Sequence, residues 1–159
     1  FASLKNSVAA EEAARRIVAA DPGARYAPYA LLASSLALQD RTDDALAVME
    51  EAATLFPGDD RAHSKRCRFG VLYGDAAGVL DSCDRAVALA PHRQFNYERR
   101  AAARALTGDT AGAIADLDYL LSDCGDAPAD AGGRCPVLAD WRAQLQVGAN
   151  PFADGAHPR

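Results

Sequence analysis

No stretch of this 159-residue sequence approaches the roughly 20 consecutive apolar residues that a membrane-crossing helix needs, because charged residues interrupt every candidate run. A spanning helix is excluded. The short signatures of catalysis are missing as well. There is no GxSxG elbow, no glycine loop ending in GK and Ser or Thr, no GxGxxG, no HExxH and no CxxC pair, and no segment reads as a strand. Of the 17 basic residues only Lys5 and Lys65 are lysines, and alanine is abundant, a bias that fits a GC-rich bacterial genome. The chain opens on Phe1 with no basic segment and apolar stretch ahead of the first helix, so it reads as a mature or trimmed fragment.

What is present describes a globular chain. Half of the residues are apolar and a quarter charged, too hydrophobic for a disordered protein. The net charge of −5 hides an uneven distribution: between Arg61 and Arg104 nine Lys or Arg stand against four Asp or Glu. The middle is basic and the ends are acidic. A pI near 5.1 argues against a nucleic-acid partner, which calls for a strongly basic domain with a docking element. Carboxylate pairs such as Glu11-Glu12, Asp43-Asp44, Glu50-Glu51 and Asp59-Asp60 fall at helix starts or exposed faces, where they complement the helix dipole or stay hydrated.

A period organises the chain. Pro22, Pro57 and Pro91 are spaced by 35 and 34 residues, and each closes an apolar helical stretch that proline cannot continue. Between them breakers fall near the middle of each unit, at Asp40-Arg41-Thr42, Gly74-Asp75 and Gly108-Asp109, so each unit is helix, turn, helix.

The spacing of large and small residues within these units resembles the tetratricopeptide repeat family. Tyr29, Leu32, Ala33, Ala45, Met49, Ala52 and Pro57 fall on the family's places in the first unit; His63, Arg66, Cys67, Val79, Cys83, Ala86 and Pro91 do in the second. Tyr97, Arg100, Ala101, Ala113 and Leu117 do in the third, with Leu120 where Ala is usual and Cys124 just before the expected Pro. The resemblance implies an all-α, right-handed solenoid of antiparallel helix pairs, with a half repeat at 4–21, units at 26–57, 58–91 and 92–124, and a loop at 125–135. Residues 136–147 form a capping helix carrying Trp141 over the last apolar face, closing a single domain of residues 1–147. Residues 148–159 lack helical periodicity and are expected to be extended or disordered, with Phe152 against the cap. Arg66 and Arg100 depart from the usual Leu. In related bacterial repeats an acid on the second helix answers such an arginine, so Arg100 is expected to pair with Asp116, whereas the second unit offers Arg66 only Ser82.

Cys124 and Cys135 bracket a Gly, Pro, Ala and Asp loop that cannot order itself by packing, and a bridge between them is expected. Cys67 and Cys83 occupy facing places on paired helices. Buried free thiols are expected there over a bridge, which needs α-carbons within about 7 Å, closer than most helix pairs come. His63 with Cys67 and Cys83 makes a poor zinc set, since His63 holds a regular packing place, and neither metal nor cofactor is expected. One loop-closing bridge favours a periplasmic or extracytoplasmic location over a cytoplasmic one.

In the family, first helices line a concave surface where partners lie. Carried over, the resemblance places Arg61, Ser64 and Arg68 of the second unit and Phe95 and Glu98 of the third along that groove. The implied function is a non-catalytic scaffold holding a protein or peptide of acidic character, with Arg61 and Arg68 forked onto a carboxylate and Phe95 as an anchor. A solvated arginine face is the alternative reading of those residues. The co-chaperone subclass is not matched, since Ala30 and Ser34 stand at its first-unit places. The alternative function is a structural assembly or dimerisation module built on the uncovered half repeat, or a regulatory part of a larger protein.

Overall fold

The computed structural model describes residues 2–23, 25–125 and 133–153. Among them eight helices occur and no strand: α1 (Ala2–Ala20), α2 (Ala27–Ala37), α3 (Thr42–Leu55), α4 (Asp60–Tyr73), α5 (Leu80–Leu89), α6 (Gln94–Leu106), α7 (Thr110–Ser122) and α8 (Arg134–Gln146). Each helix packs on the next, and α4 also packs on α6, so contacts run along the chain in the manner of a solenoid.

Local chemistry sets the helix ends. Asp59 caps α4 by accepting from the Arg61 amide at 2.9 Å, and Asp109 caps α7 by accepting from the Gly112 amide at 2.9 Å. Gly74 closes α4 with φ of 87°, a left-handed conformation in which a side chain would be strained. In the interrepeat turns the carbonyls of Pro22, Pro57 and Pro91 accept from Tyr29 Oη (3.0 Å), His63 Nε2 (3.1 Å) and Tyr119 Oη (3.4 Å). The large residues of the repeat therefore satisfy the turn as well as fill space. For His63 this requires the proton on Nε2, leaving Nδ1 to accept from Ser82.

Two apolar clusters share α4. One gathers Tyr29, Leu32, Leu36 and Met49 with Phe69; the other runs from Cys67, Val79 and Cys83 through Leu117 to Leu138, Leu145 and Phe152. At the leading end the buried Glu11 carboxylate of α1 accepts from Arg15, Gln39 and Arg41, each at 2.9 Å, tying α1 to the α2–α3 turn. Burial pushes this carboxyl up, but the bonds from Gln39, Arg15 and Arg41 together outweigh it and hold the group below its usual range.

Three expectations change. Cys67 and Cys83 are not free thiols but a disulfide, with α-carbons 4.9 Å apart. The two cysteines face each other directly across α4 and α5, which brings their α-carbons within bridging range. Cys124 and Cys135 are also bridged, with α-carbons 5.9 Å apart, and Cys135 already lies within α8; residues 126–132 of the intervening loop lie outside the described residues. Nor are residues 148–153 a free tail. Asn150 Nδ2 donates to the Ala105 carbonyl at 2.9 Å, the Phe152 amide donates back to Asn150 Oδ1 at 3.0 Å, and Phe152 is buried. Consequently Leu138, Leu145 and Phe152 cover the last apolar face, while Trp141 is half-buried, edge-on to Phe152 at 5.1 Å between centroids. The remainder of the predicted tail, 154–159, lies outside the described residues.

Replacing Cys67 and Cys83 together by Ala removes a link across 16 residues of sequence, and urea unfolding is expected to register a loss of about 3 kcal/mol. For Glu11, the depressed folded-state pKa means its stabilising contribution is present above the unfolded-state value and is lost as pH falls through the folded-state value. Acid titration of Glu11→Gln should show a shallower loss of stability below about pH 4.5 than the parent, starting from a lower stability at pH 7; identical acid profiles would contradict this.

Candidate protein-binding face

Helices α2, α4 and α6 present the residues carried over to the groove. Arg61 is exposed, yet its guanidinium is already engaged: Nε and Nη2 donate to Asp59 at 2.9 and 2.7 Å, and the group lies 5.7 Å from the Tyr26 ring centroid. The hydrogen bond from Arg61 is the main influence holding the Asp59 carboxyl below its usual range. Burial, followed by the Asp59 charge, pushes the Tyr26 hydroxyl up to about 12.

Ser64 and Glu98 do not line a groove. Ser64 is buried, donating to Asn96 Oδ1 at 2.6 Å and receiving the Arg99 guanidinium, while Asn96 in turn donates to the Ala86 carbonyl at 3.0 Å. This chain of bonds stitches the second unit to the third. Glu98 is buried beneath the start of α8, where Arg134 pairs with it. Phe95 is part-exposed, with the Arg99 guanidinium 4.6 Å and that of Arg93 5.9 Å from its ring centroid.

Arg68 stands differently. It is half-buried, with no carboxylate within ion-pair range, and its Nε is buried without an acceptor among the described residues. Together with Ser34, Ala37, Leu38, Leu72 and Tyr73 it borders an open cleft of about 260 Å³ between α2 and α4. Two further cations that the sequence left unremarked lie near enough to feel its charge: Lys65, with its ammonium 5.3 Å from the Phe69 ring centroid, and Arg99. A signal for them existed, because Leu31, Lys65 and Arg99 recur at 34-residue intervals on the first helices, with cations in two units out of three.

The arginines at the family's Leu place are structural. Arg100 grips Asp116 through Nε (3.0 Å) and Nη2 (2.6 Å), and Arg104 reaches the same carboxylate at 3.0 Å. Arg100 also meets Asp84 at 3.1 Å, which links α6 to both α5 and α7. Arg66 donates to Ser82 Oγ at 2.7 Å, Asp81 at 2.9 Å and the Gly78 carbonyl at 3.0 Å. Cys67 and Cys83, bonded to each other, are unavailable as thiolates beside His63, and no group of three or more metal-ligating side chains forms among the described residues.

No protein-family model matches the sequence, and no curated protein matches it. Among solved structures the chain is similar to TTC0263, a thermophilic TPR protein of Thermus thermophilus, with a TM-score of 0.63 and 20% identity over 91% of this chain and 75% of that one. The chain has the tetratricopeptide-repeat fold. In this tetratricopeptide solenoid the first helices carry unanswered cations beside an open cleft, whereas Arg66, Arg100 and Arg104, which reach toward second helices, are ion-paired.

Removing the Asp116 carboxylate would leave Arg100 and Arg104, both mostly shielded from water, with only the more exposed Asp84 and Asp109 as partners. Asp116→Ala is expected to lower unfolding free energy by about 3 kcal/mol in a denaturant titration, far more than Asp118→Ala on the exposed side of the same helix.

Proposed function

We propose that this protein is an interaction scaffold that takes an extended segment of another protein along the face formed by α2, α4 and α6, and that it performs no chemistry on it. The observation that carries this reading is the cleft between α2 and α4. It is open, and the large side chains Leu38 and Tyr73 on its walls are exposed although the core around Tyr29 and Met49 is closed. Exposed apolar walls beside polar groups that lack internal partners are what a docking segment needs, since apolar contact supplies affinity and the polar groups fix its register. Within this reading Arg68 and Phe95 remain contact residues, and Arg61 contributes little because Asp59 already answers it. Two disulfides fit an oxidising environment, and among the described residues no helix is long and apolar enough to cross a membrane; we extend this to a periplasmic or other extracytoplasmic site of action.

A second reading has its own observation. Helix α1 exposes Leu4, Val8 and Ile17, and beside it Ile17, Pro28 and Leu31 line a cleft of about 600 Å³, the place that a preceding first helix would cover in a continuous stack. An assembly role through that end is the alternative.

Ala37→Trp, at a partly buried position on the cleft wall, fills the α2–α4 cleft. Dodecapeptides selected by phage display on the parent protein should bind this variant at least tenfold more weakly and bind Arg61→Ala within twofold of the parent. Full retention by Ala37→Trp overturns the groove reading. Multi-angle light scattering on parent and Ile17→Glu decides the alternative: a dimer lost in the variant supports assembly, and a concentration-independent monomer rejects it.

A further inference from the structure

The two disulfides differ in their surroundings. Cys67 and Cys83 are sealed in the core between α4 and α5, with relative exposures of 1% and 0%. Cys124 and Cys135 are only half-buried, and Asp123, Gly125 and Arg134 beside them are exposed. An attacking thiolate must reach a sulfur directly, so the second bridge is open to exchange in the folded chain, whereas the first is reached only after α4 and α5 part.

The helix ends also give the accessible bridge a direction. Cys124 follows the last turn of α7, where unpaired carbonyls and the neighbouring Asp123 disfavour a thiolate. Cys135 lies in the first turn of α8, where free amides favour one and no acidic side chain opposes it. The Cys135 thiolate is therefore the better leaving group, and an incoming thiolate is directed to Cys124 Sγ.

Helix α8 depends on this bridge because it is otherwise docked thinly. Of its 13 residues only Leu138 and Leu145 are buried, against seven residues in α6. Its broad packing is on α7 alone. Asn150 and Phe152 pin its far end, while its near end is held by Cys135 and by the pair between Arg134 and Glu98. A helix of this length is marginal by itself in water, so the turns beyond the reach of Leu145 and Phe152 stay in place only while they are tied.

We propose that the Cys124–Cys135 bridge is a redox latch: a dithiol reductant opens it in the folded protein, the first turns of α8 then leave α7, and Glu98 of α6, buried beneath Arg134 while the latch is closed, is uncovered. The Cys67–Cys83 bridge stays closed and preserves the stack. This goes beyond the scaffold reading and does not rest on it. In the exchange a thiolate of the reductant bonds to Cys124 Sγ as the S–S bond breaks and its electron pair leaves on Cys135 Sγ. The reductant's second thiol then displaces Cys124. The reductant ends as its own disulfide, and its two electrons and two protons end on the two cysteine thiols.

The test incubates the full chain, under native conditions, with graded dithiothreitol, blocks free thiols with N-ethylmaleimide and maps them by mass spectrometry. Cys124 and Cys135 should be half-labelled at a dithiothreitol concentration at least about tenfold below the one that labels Cys67 and Cys83. At that lower concentration amide hydrogen exchange over 134–140 should accelerate by about tenfold or more, with α4 and α5 unchanged. Glu98 should at the same step become reactive toward a water-soluble carbodiimide and glycine ethyl ester. A Cys124→Ser, Cys135→Ser double variant should show the fast exchange and the reactive Glu98 without reductant, and respond no further to it; parent-like protection of α4 and α5 establishes that it is folded. Both bridges opening together, or Cys67 and Cys83 opening first, overturns the proposal. So does labelling of Cys124 and Cys135 that leaves α8 exchange or Glu98 reactivity unchanged, because the bridge would then hold nothing. Loss of protection in α4 and α5 at the same step would mark general unfolding and overturn it as well.

Discussion

The closeness of paired helices governs this molecule. Helices usually pack with axes 8–10 Å apart, at a distance set by the side chains between them. Here the α-carbons of Cys67 and Cys83 come to 4.9 Å, which with Cα atoms about 2.3 Å from each helix axis corresponds to axes about 9.5 Å apart, a separation that a small residue on the first helix permits. Ala33 and Ala101 hold the place of Cys67 in the other units, Ala45 and Ala113 that of Val79, and all four alanines are fully buried. Gly70 shows the same limit at the end of α4, where an added β-carbon would come within 2.4 Å of the Val79 methyls. Facing these small residues, Met49 and Leu117 hold the place of Cys83 in the other units, and with Tyr29 they fill the space between paired helices.

Electrostatics divides along the same geometry. Where two helices of a unit face each other, a charged group without a partner would be expensive, and the pairs there are complete: Arg66 with Asp81 and Ser82, Arg100 and Arg104 with Asp116. On the opposite side of the same helices, where only neighbouring first helices meet, no second helix supplies an acid. Lys65, Arg68 and Arg99 collect there, held up by the rings of Phe69 and Phe95 instead of by counter-charges. One helix can thus carry a structural arginine and an unanswered one a single residue or two apart, Arg66 beside Lys65 and Arg68.

Much of the fold was legible because it depends on spacing. Prolines 34 or 35 residues apart and small residues in register define helix pairs whatever their exact crossing. Features that depend on the crossing itself were not. Whether Cys67 and Cys83 bond turns on an ångström or two of separation that no pattern encodes. Ser64 and Glu98 fall on groove places by register, but Arg99 with Asn96 closes over one and Arg134 over the other, contacts that come from the next unit and from α8. Phe152 reaches the core through a single Asn150 turn too short to produce a period. Lys65 and Arg99 are notable for a partner they lack, and an absent partner is visible only once every neighbour has been placed.

The two disulfides are unevenly distributed. Both lie beyond the middle of α4, one clamping α4 to α5 and the other fastening the end of α7 to the start of α8, while α1, α2 and α3 are joined to the remainder by packing and hydrogen bonds alone. Under tension applied through its ends, the molecule would respond as two materials in series. The leading unit would peel away and lengthen in full. The trailing units would release less than their full length, since the residues enclosed by each bridge are withheld from extension. The cleft between α2 and α4 lies across that mechanical boundary, so pulling on the leading end would open it before disturbing the stapled half.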